Sequence, residues 1–476
     1  MSIVLRDTTL ADVASMPAKP SRSGQKIAVA SLLTVLALLV SSWLWRGYEP
    51  RLRIKGQPLK ALSFSPAGDV LAVGSLAGGG SFLGAPTTPI RFLSARDGTE
   101  AQPTLPTTNQ YPVSVVQAGY SSDGKLFATL QAHAYRELEL AVFDLATRTL
   151  IGAQKVPYVD NVGSGPDGTV TFRFSPDSSF LVTDGQVTRQ RFFSHRAVVV
   201  WDLAARKERF TLEKAGFPEI SPDSRLLATI DDPPPNVYGT KGSLKLWNTQ
   251  SGKLERAIEL PGAARVWPAF STDGKLVTVN TGDTAEVFET ATGKRVFEQK
   301  GWTPRFLADG KTLMTVWWLD VQMWNTATWE MKQKHTFNLG RSWENGDPIA
   351  PRPQVISAQP RVAVFHSDPT RHWALLRWLG RTAKLNAFGS HRMMVIDAAT
   401  GTRQSIELHG ANLLSGSVWS PDGTRAALGF MDGSVELWDF PPRRSLVAPA
   451  TAAVLAVVTV LALRRRKQRD PAANSG

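Results

Sequence analysis

A short segment in which a large apolar residue is followed by Ser, Pro, Asp and Gly, with some substitutions, recurs along the chain ahead of apolar runs. Its copies begin at Phe64, Tyr120, Phe174, Ile220, Phe270, Phe306 and Trp419. Pro presets the φ of a type I turn, Asp accepts hydrogen bonds from the turn backbone, and Gly takes the left-handed position. Each copy therefore predicts a tight turn that leads into a β-strand, such as residues 125–129 or 225–230.

A second pattern marks the end of the strand that follows the apolar strand of each unit. That strand ends with an aromatic or apolar residue, and in most units Asp, Asn or another polar residue comes directly after it. The strongest examples are residues 198–202, 244–248, 321–325 and 435–439, and the weaker ones are 90–94, 140–144, 285–289 and 394–397. Most continue into Thr or Ser, Gly and a basic residue, as in residues 249–253. This composition predicts a second family of turns.

The two-turn pattern resembles the WD40-repeat family, whose blades are four-stranded antiparallel sheets that end near Trp-Asp. The resemblance covers residues 49–440, and Trp201-Asp202 and Trp438-Asp439 match the dipeptide fully. It implies an all-β, WD40-like β-propeller. The family's Gly-His dipeptide is absent, so the buried His and Asp network of many relatives is not expected.

The number of strand-closing signals predicts about eight blades. Seven signals have a clear partner turn, and the degenerate eighth partner lies near residues 354–360. Seven blades is the alternative, if one unit is absorbed into another. The chain after Asp439 is too short to supply the last outer strand, whereas residues 51–55 alternate correctly and have no other partner. We therefore predict that residues 51–55 close the ring and remove its exposed sheet edges.

Two apolar segments flank the predicted propeller. Residues 27–45 and 446–463 carry no charge and are long enough to span a bilayer as helices. A cleaved signal peptide is the alternative for the first, although residues 40–45 offer no small-x-small cleavage site. A bacterial sorting signal is the alternative for the second, although its basic cluster is followed by further residues. The predicted chain order is tail 1–26, span 27–45, propeller 49–440, span 446–463 and basic tail 464–476.

The basic residues near the spans predict the orientation. Arg464, Arg465, Arg466 and Lys467 directly follow the second span, and long folded domains translocate largely regardless of their charge. We therefore expect a two-pass membrane protein with both tails cytoplasmic and the propeller extracytoplasmic. The bilayer itself would be one partner of the chain.

Composition and motifs argue against several classes of function. The chain has no Cys, which excludes disulfides, thiolate catalysis and Cys-ligated metals. It contains no Gly-x-Ser-x-Gly elbow, phosphate loop or His-Glu-x-x-His helix, and its seven His are scattered. We therefore predict no enzyme activity, no cofactor and no metal. The net charge of +13 partly belongs to the membrane flanks, so nucleic acid is not the expected partner.

The longest connection, between Asp368 and Ser390, contains the candidate binding site. Asp368 as N-cap, Pro369 at the first position and Gly380 as C-cap predict one helix. The candidate partner-binding residues are its aromatic and basic side chains, Arg371, Trp373, Arg377, Trp378, Arg381 and Lys384. They would dock an acidic protein partner. The alternative is that the apolar face of this helix packs on the propeller.

These observations together predict a membrane-anchored propeller that acts as a protein–protein interaction platform. Two alternatives stay open at this point. A propeller hydrolase or ligand-binding protein would use polar groups that converge at the central channel. An envelope-assembly scaffold of the same fold would differ only in its partner, since fold does not determine function.

Overall fold

The computed structural model describes residues 48–55, 59–75, 90–105, 114–132, 137–159, 170–190, 193–231, 242–262, 268–317, 320–336, 354–356, 358–368, 390–408, 414–430 and 433–444. Every regular element within them is a β-strand, which confirms the all-β prediction. Residues Glu49–Arg443 form one compact unit. Residues 1–48 and 444–476 form a second unit, of which only Tyr48 and Arg444 are described.

Eight four-stranded antiparallel sheets form the blades of a propeller. Two short strands, β1 (Tyr48–Glu49) and β2 (Leu52–Ile54), precede the first complete blade. Blades 1 to 4 consist of β3 (Leu59–Phe64), β4 (Val70–Ser75), β5 (Arg91–Ser94) and β6 (Glu100–Gln102); β7 (Ser114–Tyr120), β8 (Leu126–Ala132), β9 (Glu137–Asp144) and β10 (Thr149–Val159); β11 (Thr171–Phe174), β12 (Phe180–Gln190), β13 (Phe193–Asp202) and β14 (Lys207–Glu213); and β15 (Ala215–Ile220), β16 (Leu226–Asp231), β17 (Ser243–Asn248) and β18 (Leu254–Glu259).

The second half of the ring repeats this order. Blades 5 to 8 consist of β19 (Ala269–Phe270), β20 (Leu276–Thr281), β21 (Thr284–Glu289) and β22 (Arg295–Lys300); β23 (Trp302–Phe306), β24 (Thr312–Trp317), β25 (Asp320–Asn325) and β26 (Met331–Thr336); β27 (Gln354–Ile356), β28 (Arg361–Asp368), β29 (Ser390–Asp397) and β30 (Arg403–Glu407); and β31 (Leu414–Trp419), β32 (Arg425–Phe430) and β33 (Val435–Asp439) with β2. The count of eight is confirmed, and the alternative of seven is wrong. The last strand, β34 (Arg443–Arg444), pairs with β1.

The order of strands within each blade determines two faces of the ring. First strands of neighbouring blades contact one another, as β3 does with β7 and β31, so they surround the axis. The connections between first and second strands, and between third and fourth strands, lie on one face, which we call the turn face. The connections between second and third strands, and those between blades, lie on the opposite face, which we call the far face.

A buried serine organises the turns between first and second strands. In blade 4 the Ser221 hydroxyl donates to Asp223 Oδ1 at 2.6 Å and accepts the N–H of Leu226 at 2.8 Å. The same arrangement, with a nearby Asp, recurs at Ser65, Ser121, Ser175, Ser271 and Ser420. All six serines are buried. The hydroxyl thus satisfies a backbone donor at the start of the second strand that would otherwise be buried without a partner.

The aspartates of these turns are acidic beyond their ordinary range. Partial burial opposes their ionisation, but hydrogen bonds from neighbouring hydroxyl and backbone groups outweigh it and lower the pKa of each. The aspartates affected are Asp123, Asp177, Asp223, Asp273, Asp309 and Asp422. Ionised carboxylates are therefore part of the folded turns.

Two of these turns carry Ser at the left-handed position, which Gly occupies in five other copies. Ser178 and Ser224 adopt φ of 59° and 61°, which costs a non-glycine residue some strain. Their hydroxyls accept the N–H groups of Asp123 (3.2 Å) and Asp177 (3.1 Å) in the preceding blade. A hydrogen bond between adjacent blades therefore offsets the strain.

The aromatic residues that close the third strands form the second repeated contact. The indole N–H groups of Trp201, Trp247 and Trp324 donate to Thr183, Thr229 and Thr315 on the neighbouring second strand, at 3.1, 2.8 and 3.1 Å. In blade 8, Trp438 donates instead to the fully buried Glu436 at 3.1 Å. These four indole N–H groups thus each have a hydrogen-bond partner, as burial of an N–H requires.

Strand β2 closes the ring as the sequence predicts. It pairs antiparallel with β33, in the register Leu52 with Leu437, Arg53 with Glu436 and Ile54 with Val435. Arg51 also donates to Asp439 Oδ1 at 3.3 Å, and Arg443 to Asp439 Oδ2 at 2.7 Å. Because β2 starts beside the end of β33, both ends of the propeller lie on the turn face.

The predicted membrane spans, 27–45 and 446–463, and the tails 1–26 and 464–476 lie outside the described residues. Among the residues that are described, no helix is long and apolar enough to cross a membrane.

Candidate functional site

The predicted partner-binding residues lie outside the described part of the chain. They are Arg371, Trp373, Arg377, Trp378, Arg381 and Lys384, and the predicted helix lies there with them. The structure describes the two strands from which this insertion leaves the blade. Asp368 at the end of β28 pairs with Ser390 at the start of β29. This hairpin end is a connection between second and third strands, so the insertion leaves the propeller on the far face.

The hairpin of β12 and β13 extends further on the far face than the equivalent hairpin of blade 5. Its pairing runs from Phe180 with Asp202 to Gln190 with Phe193. The equivalent hairpin of blade 5 ends after six residues, whereas β12 has 11. At roughly 3.4 Å per residue, the five extra residues raise the blade 3 hairpin by about 17 Å.

A buried ion pair supports the base of this hairpin. Arg196 on β13 donates from Nε to Asp184 Oδ1 at 3.2 Å and from Nη2 to Oδ2 at 2.5 Å. The Asp184 side chain is fully buried, and that of Arg196 is 5% exposed. Because two parallel hydrogen bonds join the charges inside the protein, the pair is directional and resists rearrangement.

The same pair joins blade 3 to blade 4. The N–H of Phe217 on β15 donates to Asp184 Oδ2 at 3.2 Å, and the Arg196 guanidinium lies 4.7 Å from the centre of the Phe217 ring. A Cβ on Gly216 would lie 2.8 Å from Arg196 Cδ, so this position admits only glycine without movement. The hairpin is therefore held by its neighbouring blade as well as its own.

Charged side chains from three first strands interact around the central channel. Arg173 on β11 donates to Glu219 Oε2 on β15 at 2.8 Å. Burial lowers the pKa of Arg305 on β23, the Glu219 carboxylate opposes that shift, and Arg173 adds to it. Each of the three directly precedes the large apolar residue with which its turn segment begins. The channel near the turn face thus carries both signs of charge.

The family comparison agrees with this geometry. The family described as "WD domain, G-beta repeat" matches residues 402–439, which contain the three chain-contiguous strands of blade 8. The same strand order recurs in the other seven blades, and the same serine turn recurs in blades 1 to 5. The chain is a WD40-repeat propeller. Comparison with curated proteins gives no match.

The WD40 propeller fold is typical of protein-interaction scaffolds. In this WD40 propeller, the Trp side chains of three third strands donate to Thr side chains of the neighbouring second strands. No histidine takes part in these three hydrogen bonds. In the described residues, no group of three or more His, Cys, Asp or Glu is placed to hold a metal ion.

Sequence reasoning missed several residues of this WD40 propeller. The serine in the turn between first and second strands recurs in the sequence. The sequence did not reveal that its hydroxyl accepts a backbone N–H at the start of the second strand. Asp184 and Arg196 were visible as charges inside two apolar strands, and the hairpin register alone brings them together. The signal for Arg173, Glu219 and Arg305 was their identical offset from the turn, which an alignment of the repeats within the chain would have exposed.

Proposed function

We propose that this chain is a membrane-anchored WD40 propeller that binds a protein partner through its far face. One observation carries the proposal. Ring closure by β2 brings both ends of the propeller unit to the turn face, so neither Glu49 nor Arg443 lies on the far face. The hairpin end from which the long insertion leaves blade 7 and the raised β12–β13 hairpin both lie on that far face.

The anchoring part of the proposal is supported by the sequence. Only residues 46–48 separate the first apolar segment from the propeller unit, and only residues 444–445 precede the second. Two such short connections would keep the turn face towards the bilayer and leave the far face to solvent. The basic run after residue 463 favours both tails in the cytoplasm and the propeller outside.

The chemistry of the insertion indicates the class of partner. Residues 369–389 contain four Arg or Lys and two Trp, and no Asp or Glu. Arg and Trp are the residue types that contribute most at protein interfaces, and their charge here favours an acidic surface. An acidic protein partner therefore fits the insertion best.

The test is replacement of residues 369–389 by a Gly-Ser linker in the full chain, followed by co-purification from solubilised membranes. We expect the partner to be lost while the thermal unfolding of the propeller is retained, because long surface connections contribute little to stability. The matched control replaces residues 232–241, another far-face connection, by a linker of equal length and should keep the partner.

A narrower variant tests the named side chains. Trp373→Ala and Trp378→Ala should each weaken binding by about 2 kcal/mol if they are anchors. Retention of the partner by the linker variant with an intact propeller would move the interface to another surface. Joint loss of partner and fold would support packing of the helix on the propeller.

A further inference from the structure

Neighbouring blades are joined at the rim by a repeated side-chain contact. In blades 1, 3, 4, 5, 6 and 8, a residue early in the fourth strand, which we call the plug residue, lies against the third-to-fourth turn of the next blade. The contacts are Leu52 on Gly98, Gln102 on Arg148, Phe210 on Gly252, Arg256 on Gly293, Phe297 on Trp329 and Gln333 on Ala399. The plug residues include apolar, amide and guanidinium side chains. We call the boundary between two neighbouring blades a seam; its contact requires a side chain, but not one particular chemical type.

Blade 2 lacks this side chain. Its plug position is Gly152, which pairs with Val142 as Phe210 pairs with Val200 and Phe297 with Val287. A Cβ on Gly152 would meet no other atom within 4 Å, and its φ lies outside the left-handed region that favours glycine. The backbone therefore does not require glycine here, and the absence of a side chain leaves open space.

A cavity of about 80 Å³ occupies that space between blades 2 and 3. Its wall is apolar and includes Leu140, Val142, Ile151 and Trp201. Pockets for cofactors or drug-sized ligands measure about 300–1,000 Å³, so this seam cavity is too small for them. It has the room of one aliphatic side chain.

The rim of the seam cavity is cationic. Arg206 and Lys207 line it, and both are exposed. Within the part of the chain that the structure describes, neither has an ion-pair partner. Asp202 also lines the cavity, but Arg209 Nη2 donates to its Oδ2 at 2.8 Å and neutralises it. An apolar anchor beside negative charge would therefore complement the site.

We propose that the seam cavity binds a protein partner through one branched apolar side chain flanked by acidic residues. The proposal rests on the function proposed above only in treating the propeller as an interaction platform. In a ring of eight, blade 3 lies across from blade 7, which bears the insertion. The seam cavity is thus a second docking surface, separate from the insertion.

The test is selection of an unbiased phage-displayed peptide library on the full chain in nanodiscs. We expect enriched peptides to carry Leu, Ile or Val next to Asp or Glu. Their affinity should fall at least about tenfold in Gly152→Ile, which fills the cavity from within. Gly262→Ile is the matched control, because a Cβ there also meets nothing within 4 Å but lies in the connection after blade 4, away from the seam cavity.

A charge variant tests the rim without disturbing the turn. Arg206 has φ of 54°, and four other turns carry glycine at this position, so Arg206→Gly relieves backbone strain. Combined with Lys207→Gln it should weaken acidic peptides about tenfold or more. Binding should persist in the variant with residues 369–389 replaced, whatever becomes of the far-face partner.

Four outcomes would overturn the seam proposal. They are the absence of selected peptides, peptides without the apolar and acidic pattern, equal binding to Gly152→Ile, and a changed oligomeric state in that variant, which would identify a second copy as the occupant. A lower unfolding temperature of Gly152→Ile is also the expected effect of overpacking, so in that case the Arg206→Gly and Lys207→Gln variant decides the question. None of these results bears on the far-face partner, whose own test is separate.

Discussion

Ring closure can be measured as a coupling between Arg53 and Glu436, which are 383 positions apart in the chain. Arg53 Nε lies 3.4 Å from Glu436 Oε1, and the Glu436 side chain is fully buried. If β2 belongs to blade 8, removal of the arginine leaves a buried carboxylate without this cation. Arg53→Met keeps the apolar stem and removes only the charge, and Glu436→Gln keeps the shape and the acceptor for Trp438.

The expected magnitude follows from the exposure of the two side chains. Removal of one partner from a fully buried pair costs about 3–5 kcal/mol, and from a surface pair about 0–1 kcal/mol. The Arg53 side chain is 42% exposed, which places this pair between the limits. We expect about 2 kcal/mol for Arg53→Met and about 1 kcal/mol of coupling in the double-mutant cycle.

The assay is urea unfolding of the propeller unit, followed by tryptophan fluorescence, for the wild type, both single variants and the double variant. The matched control is Arg295 with Glu286 in blade 5. The Glu286 side chain is also fully buried, and the Arg295 side chain is 45% exposed. Arg295 Nη1 lies 2.7 Å from Glu286 Oε1. Additive effects at Arg53 and Glu436, with coupling retained at Arg295 and Glu286, would refute closure by β2.

Three further predictions address the turns, acid stability and topology. Ser221→Ala should cost about 1–3 kcal/mol in urea unfolding, because a buried N–H loses its acceptor, whereas the exposed Ser251→Ala should change it by less than about 0.5 kcal/mol. The turn aspartates have lowered pKa values, so the stability that they add is complete above their unfolded pKa and is lost as pH falls through the folded values; the urea midpoint should hold near pH 6 and fall below about pH 4. Single Cys at positions Ser23, Ala146 and Ser475 should label with an impermeant maleimide in intact cells only at Ala146, which is exposed and avoids the strained Ser178.

Each of these has a clear contrary result. If Ser221→Ala and Ser251→Ala change the free energy of unfolding equally, the buried serine does not stabilise the turn. A midpoint that rises on acidification would mean that the carboxylates are better stabilised in the unfolded chain. Labelling of both tails and not of the propeller would reverse the orientation.

The amino-acid sequence by itself determined the repeat, the blade count and the closure of the ring. These depend on short-range chemistry that is written in consecutive residues, such as the Ser-Pro-Asp-Gly turn and the alternation of residues 51–55. Repetition strengthened each weak signal, so even the degenerate turn near residues 354–360 could be placed. The faces of the ring then followed, because strand order in an antiparallel blade leaves no choice.

Only the tertiary structure decided which residues of different strands and blades meet. Asp184 and Arg196 face each other because of the register of one long hairpin, and Arg173 reaches Glu219 because two first strands are neighbours around the axis. Gly152 looks like an ordinary strand glycine until its register and the adjacent turn are known. Contacts between blades depend on the rotation from one sheet to the next, and no local sequence pattern records that rotation.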